Sequence, residues 1–340
     1  MGPGYVVRDA GGGGRIASLL GAERWDILSL AALAPSSHNV QPWTVRIEDR
    51  DRWVVGLDPA RRLPAVDPDD REMSLSLGFF VESVAIAAAG HDLATAITPA
   101  EDKRIALAFS PSAASNLPAA LLRKRCTVRA GLGATALSDA DIAALRAGDA
   151  ELVYLPKDSP AGRWLADSTL AAFKAQTARD DAQRELADWI RWTPADAVRH
   201  RTGFTPVSLG LPWYARLFTR LFFDRKSVLA PSFRQRGIDQ AAAQVAEGAG
   251  WLILTSADQS LAELISCGRR AQNVWLRAAA RDIGLHPMSQ IMEEAPWCDQ
   301  VRDALRVRGN VQMIFRAGRC SYPAPTSLRL APAMFTAVPA

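Results

Sequence analysis

Apolar positions in this chain recur at two periods, and the switch between them marks out alternating helical and extended stretches. From Glu23 to Ala34 the spacing is helical, with Trp25, Leu28, Leu30 and Leu33 among the apolar positions. WTVRIED and WVVGLD, either side of a charged turn at 49–52, alternate and predict a hairpin. Asp67, Asp69 and Asp70 then precede a helix predicted over 71–90, with acids at its positive end and glycine at its close. RIALAFS, from Arg104, is the next predicted strand. The pattern restarts at Leu121 with a short helix ending in bases, a helix capped by Ser138 with Asp141 three residues on, and the strand ELVYLP. Helices over 161–178 and 181–192 follow. Residues 193–237 combine prolines, aromatics and weak periodicity, which predicts a functional insertion and argues against disorder. GWLILTS is a buried strand, 260–283 a long helix, GLHPMSQ a turn, VQMIFRAG the last clear strand and PAPTSLRLAP an extended arm. Each half therefore places helices on strands, with a long helix leading into a β-segment, a weak internal repeat.

Composition narrows the classes. At 340 residues and 49% hydrophobic content the chain can bury a substantial core. The net charge of +4 and pI near 9.0 arise from interspersed acids and bases, without a basic block carrying interleaved aromatics, so no nucleic-acid partner is expected. Cys126, Cys267, Cys298 and Cys320 lack paired spacing, which suggests neither a disulfide framework nor a zinc site and fits a reducing cytoplasm. Residues 1–19, with their run of glycines, are expected to be a flexible tail without signal-peptide character. The most hydrophobic long stretch, 209–223, is broken by Pro212, Arg216 and Arg220 and is too short and too charged to span a bilayer, so no membrane partner is expected.

Candidate chemistry concentrates in two segments. Residues 31–43, AALAPSSHNVQPW, hold short polar side chains between Pro35 and Pro42, which fix the backbone on either side. Ser36, Ser37, Asn39 and Gln41 supply neutral donors and acceptors suited to a large polar heterocycle; an ordinary helix-to-strand connection is the alternative. In Arg125-Cys126-Thr127-Val128-Arg129, two guanidinium groups flank a hydroxyl, a pattern able to grip a phosphate, or else a solvated basic turn. Arg329 adds a positive charge on the C-terminal arm. Gly131 to Ala136 matches G-x-G-x-x-A but lacks the preceding strand that a dinucleotide fingerprint needs. The four histidines are scattered, so no metal site is expected.

Residues 35–43 resemble the P-S-x-x-N-x-Q-P-W segment of the FMN-dependent nitroreductase family, and 125–129 its R-x-[ST]-x-R segment. Residues 268–276 and 284–289 are similar to its core helix and the flavin-facing turn, and Arg329 matches the arginine of its C-terminal arm. The order of these motifs and the doubled length resemble the Acg-like branch, over roughly residues 20 to 335. The resemblance implies an α+β nitroreductase-like fold in which two related halves, 20–117 and 118–340, form an internal pseudo-dimer with a lid at 193–237. It implies one FMN per chain, NAD(P)H as donor, and a small-molecule acceptor of nitroaromatic or quinone type, in a monomer or a further homodimer. Arg125, Thr127, Arg129 and Arg329 would hold phosphate and ring edge, and Ser36, Ser37, Asn39 and Gln41 would come from the other half. Pro287, Met288 and Ser289 would form the turn facing flavin N5, with Met288 and Ser289 offering backbone groups. No side chain is named as catalytic. Cys126 stands where the family often has arginine, which removes a positive charge. A flavin-storing protein with an occluded site and little turnover is the alternative.

Overall fold

The computed structural model describes residues 5–7, 13–100, 103–112, 117–211, 213–324 and 326–339. In the first third, β1 (Tyr5–Val7), α1 (Gly13–Ala31), β2 (Trp43–Ile47) and β3 (Arg52–Leu57) precede α2 (Arg71–Ala89), β4 (Leu93–Pro99) and β5 (Ile105–Pro111). The middle is mostly helical: α3 (Ala120–Lys124), α4 (Asp139–Arg146), β6 (Leu152–Pro156), α5 (Pro160–Ala178), α6 (Asp180–Asp188), α7 (Pro194–His200), α8 (Trp213–Phe222) and α9 (Pro231–Ala246). Last come β7 (Gly250–Ser256), α10 (Leu261–Ala280), β8 (Ile283–Pro287), α11 (Gln290–Glu293), α12 (Trp297–Leu305), β9 (Asn310–Arg319) and β10 (Thr336–Pro339).

The strands form two sheets, one ordered β1-β10-β2-β3-β5-β4 and one ordered β6-β7-β9-β8. All neighbours are antiparallel except β10, which runs parallel to β2, so the C-terminal arm returns to complete the sheet built by the first third. Separate helices and mostly antiparallel sheets make this an α+β protein.

Two long helices meet between the sheets. α2 is buried along nearly its whole length, and it crosses α10 where Gly78 faces Gly268. A Cβ at position 78 would lie 2.5 Å from the Ile265 carbonyl oxygen, and one at 268 would lie 2.3 Å from that of Leu75, so only glycine permits this approach. Above the crossing, the Gln272 amide donates to Ser83 Oγ at 2.9 Å, and Glu82 accepts from Arg269 and Asn273, each at 2.7 Å. α2 has the length and apolarity of a membrane span, but 89% of the relevant window is buried inside the protein, as befits a core helix.

Several boundaries differ from those the sequence predicts. The first helix begins at Gly13 and bends at Gly21, where φ is 74°, so the described part of the supposed tail lies in regular elements. β4, where the sequence predicts no element, pairs with β5 along its length. GLHPMSQ is mostly strand β8. Residues 193–237 are largely helical, and Pro194 and Pro231 sit in the first turns of α7 and α9, where a missing N–H costs nothing.

Candidate functional site

A cavity of about 330 Å³ opens between the loop after α1, the segment after α3, the end of β8 and residues of α5, α6 and the 193–237 insertion. Ser36, Ser37, Thr127 and Arg129 line it, as do Pro287, Met288 and Ser289. Asn39, Gln41, Arg125 and Arg329, singled out with them in the sequence, are not on its wall.

The loop is held by its own backbone and by distant partners. Ser37–Asn39 form a 3₁₀ turn, and His38, Asn39 and Gln41 all have positive φ, at 48°, 54° and 54°. Three left-handed non-glycine residues within four positions persist only when neighbours over-determine them. The Asn39 amide donates to the carbonyls of Gly203 and Leu328 at 3.1 and 3.2 Å, and its oxygen accepts from Arg329 at 2.8 Å. The fully buried Gln41 donates to the Arg201 carbonyl and accepts the Leu330 N–H, both at 2.8 Å. Both amides therefore fasten the loop to the insertion and the arm, leaving Ser36 and Ser37 on the cavity wall. Ser36 Oγ accepts the Gln41 N–H at 2.9 Å, and the Ser37 hydroxyl donates to Glu72.

The second segment is cationic and unneutralised. Residues 125–129 run extended beside β8, with the Val128 N–H donating to the Leu285 carbonyl at 3.1 Å. Arg125 donates to the Leu33 carbonyl at 2.6 Å and lies 4.9 Å from the Trp275 ring. Arg129 sits 5.5 Å from the Phe204 ring and has no hydrogen bond from its guanidinium to another described residue. No carboxylate pairs with Arg125, Arg129 or Arg329 among the described residues, and the buried Nε atoms of Arg125 and Arg329 lack partners. Burial lowers the pKa of Arg129 to about 10; burial and the nearby Arg125 lower that of Arg329 to about 9. All three remain cations at neutral pH.

Sequence reasoning missed a pair of acids. Glu72 opens α2 and lines the cavity, and Glu293 ends α11. Burial and the Glu72 charge push Glu293 well above the usual carboxylate range. Burial also opposes ionisation of Glu72, but Arg71 and hydrogen bonds from Glu293 and Ser37 outweigh it and hold Glu72 below its ordinary value. The opposite shifts favour the pair's proton on Glu293, which also takes hydrogen bonds from the Gln176 amide and the Ser289 hydroxyl. Only the position of Glu72 after three aspartates was visible in the sequence, and that reads equally well as helix-dipole chemistry.

Two histidines on the wall are neutral. Burial takes His38 down to about 4, with Glu72 opposing and Arg129 assisting. His286 lies well below its ordinary value through burial, Arg129 and Arg316; its Nδ1 accepts from Arg316 Nε at 3.1 Å, which leaves Nε2–H as the ring's donor. At the turn after β8, the Met288 N–H donates to the Ile314 carbonyl at 2.9 Å and its side chain is buried in a core cluster. Of the two backbone donors expected there, Ser289 N–H is the one without a partner among the described residues.

Comparison with known proteins agrees with this architecture. Residues 94–319 match the Nitroreductase family. The chain is 28% identical over 315 residues to the probable NAD(P)H nitroreductase PigM of Serratia sp. (strain ATCC 39006), covering 86% of this chain and 87% of that protein. It is 30% identical over 303 residues to the putative NAD(P)H nitroreductase Rv3131 of Mycobacterium tuberculosis (strain ATCC 25618 / H37Rv), covering 86% and 83% of the two chains. The protein belongs to the nitroreductase family.

Proposed function

We propose that the cavity binds one FMN per chain and that the protein is an oxidoreductase passing reducing equivalents from NAD(P)H to a nitroaromatic or quinone-like acceptor. One observation carries the cofactor: three buried or half-buried arginines gathered beside a cavity, without a carboxylate partner and with two orphaned Nε atoms. Such a cluster is costly unless an anion completes it, and a phosphate dianion has the charge and oxygen geometry to do so. The names of the relatives point to the same chemistry.

When bound, FMN would supply the two-electron redox chemistry. The chain's own contribution is placement. Arg129 and Thr127, on the wall, would hold phosphate or ring edge directly, with Arg125 and Arg329 adding positive charge from behind. Ser36 and Ser37 would contribute hydroxyls from the facing loop, while Asn39 and Gln41 act as positioning residues through their bonds to the insertion and arm. Pro287 and Met288 would back the turn, and the Ser289 N–H would face flavin N5. Glu293 holds a proton next to Glu72 on the wall, and the neutral histidines leave the cationic end to the arginines.

We read residues 20–117 and 118–340 as two fused halves, with the α2/α10 crossing as their pseudo-dimer contact. Residues 193–237 serve as a lid, since Phe204, Leu209 and Phe233 all lie on the cavity wall. Four free cysteines fit a reducing cytoplasm. The test is anaerobic: FMN-reconstituted protein is mixed with NADPH or NADH and its visible absorption followed. Rapid bleaching of bound flavin supports the reading, whereas bound flavin that stays oxidised with both donors overturns turnover in favour of sequestration.

A further inference from the structure

The insertion carries a feature that cofactor and substrate do not use. Helix α8 has the sequence WYARLFTRLF, and its large apolar residues face outward. Trp213 is 74% exposed, Leu221 65% and Phe222 66%, with Tyr214, Leu217 and Phe218 more than half exposed beside them. At 3.6 residues per turn these six side chains fill one continuous half of the helix. The opposite side contacts the protein through the buried Thr219 and the partly buried Ala215. Beyond the helix, Phe223 anchors the segment against Trp192 and Phe233, with ring centroids 5.6 and 6.2 Å away. A soluble surface rarely offers this much contiguous aromatic and aliphatic area without something to cover it.

Charge decides what covers it. Arg216 and Arg220 lie together along one edge of the apolar half, and Lys226 follows within about one turn of the helix end, while Arg225 beside it is paired with Asp188. The single acid in 213–226 is Asp224, whose carboxylate is taken by Ser227. A second copy of this helix packed face to face would set the two arginine rows side by side in the antiparallel arrangement, and the sequence WYARLFTRLF supplies them with no carboxylate in either direction. An anionic lipid surface suits both halves of the pattern: aromatics and leucines enter the headgroup–acyl boundary while arginines stay among the phosphates.

We infer that α8 is an interfacial helix that docks this protein on anionic lipid bilayers by its exposed Trp213, Leu217, Phe218 and Leu221 face, with Arg216 and Arg220 at the headgroups. Lying on a surface does not require the length that spanning does, so a stretch too short and too charged to cross a bilayer is well suited to rest on one. The docked face belongs to the same insertion that supplies Phe204 and Leu209 to the cavity.

The experiment is co-sedimentation of the full-length chain with vesicles of phosphatidylcholine alone or of phosphatidylcholine with about one-third phosphatidylglycerol. The expected result is binding to the anionic vesicles at least about tenfold stronger than to the neutral ones, weakened by salt. Binding should bring quenching of Trp213 by bromine-labelled acyl chains, absent in Trp213→Phe. Leu217→Glu with Leu221→Glu should abolish sedimentation. Arg216→Ala with Arg220→Ala should weaken it about 25-fold, each charge near the surface being worth about fivefold. These side chains are exposed, so unchanged circular dichroism and melting of the variants confirm that the fold is intact. Equal absence of wild-type protein from both pellets overturns the inference. So does a wild-type dimer that Leu217→Glu with Leu221→Glu converts to monomer while vesicles make no difference.

Discussion

The two segments that meet at the cavity are stabilised in opposite ways. Residues 35–43 are strained in backbone but their two amides are fully tied down, with Asn39 and Gln41 each satisfied by partners more than 150 residues away in sequence. Residues 125–129 are relaxed in backbone but electrically incomplete, their guanidinium groups removed from water without a counter-charge. The amides of the first are completed by the protein itself; the arginines of the second have no carboxylate partner among the described residues, and on the proposed reading an anionic ligand completes them. A site for an anionic cofactor needs both, a rigid wall against which to place it and an unpaired charge to hold it.

Substitutions should separate the two kinds of contribution. The largest effect on ligand is expected from Arg129→Ala, which should weaken FMN binding by about 10- to 100-fold, the worth of a hydrogen bond to a charged group. The cofactor-free protein should melt no lower than wild type, because a desolvated charge has been removed. Fluorescence titration with FMN and melting of the apo form check both halves of the statement. Asn39→Ala should do the reverse. Losing its bonds to Gly203, Leu328 and Arg329 should destabilise the apo protein by about 1–3 kcal/mol, with a smaller change in affinity. Urea unfolding supplies the first number.

Smaller effects come from the buried titrating groups. Glu293 keeps its proton in the folded protein and gives it up on unfolding above about pH 4.5, near the ordinary value for a glutamate. Its contribution is therefore full at acid pH and is lost as pH rises through the folded value. Glu293→Gln keeps a donor toward Glu72 without titrating, so the variant should gain on wild type in urea midpoint as pH rises above about 4.5. His38 has the opposite sign. Folded it stays neutral down to about pH 4, whereas the unfolded chain takes up a proton near pH 6.5, so stability falls as pH drops through that window. His38→Phe should shrink the fall, again read from urea midpoints.

The parts of this site that were legible in the sequence are contiguous. Pro35 to Trp43 and Arg125 to Arg129 each carry their spacing within a few residues, and each supplies residues to one cavity wall. What the sequence hid depends on distance. Nothing near Gln41 announces that its partners are Arg201 and Leu330, or that Glu72 shares a proton with Glu293. For the fold, apolar alternation located β2, β3 and β5 and a continuous apolar run located β7, but neither signal marked β4, whose residues are half-buried or exposed in turn and carry little hydrophobic contrast. β8 was read as a turn because Gly284 and Pro287 look like punctuation, whereas Gly284 is required where Leu132 and Val128 pack within 3 Å of where its Cβ would be. The insertion seemed irregular because prolines were read as breakers when two of them begin helices.

The central claim is that the unpaired arginines are completed by the phosphate of one FMN per chain. Fluorescence titration of the apo protein with FMN, repeated with riboflavin, tests it most directly. The account predicts saturable binding at one FMN per chain, with riboflavin at least about tenfold weaker because it lacks the phosphate. Equal affinity for the two, or no saturable binding of either, would contradict it.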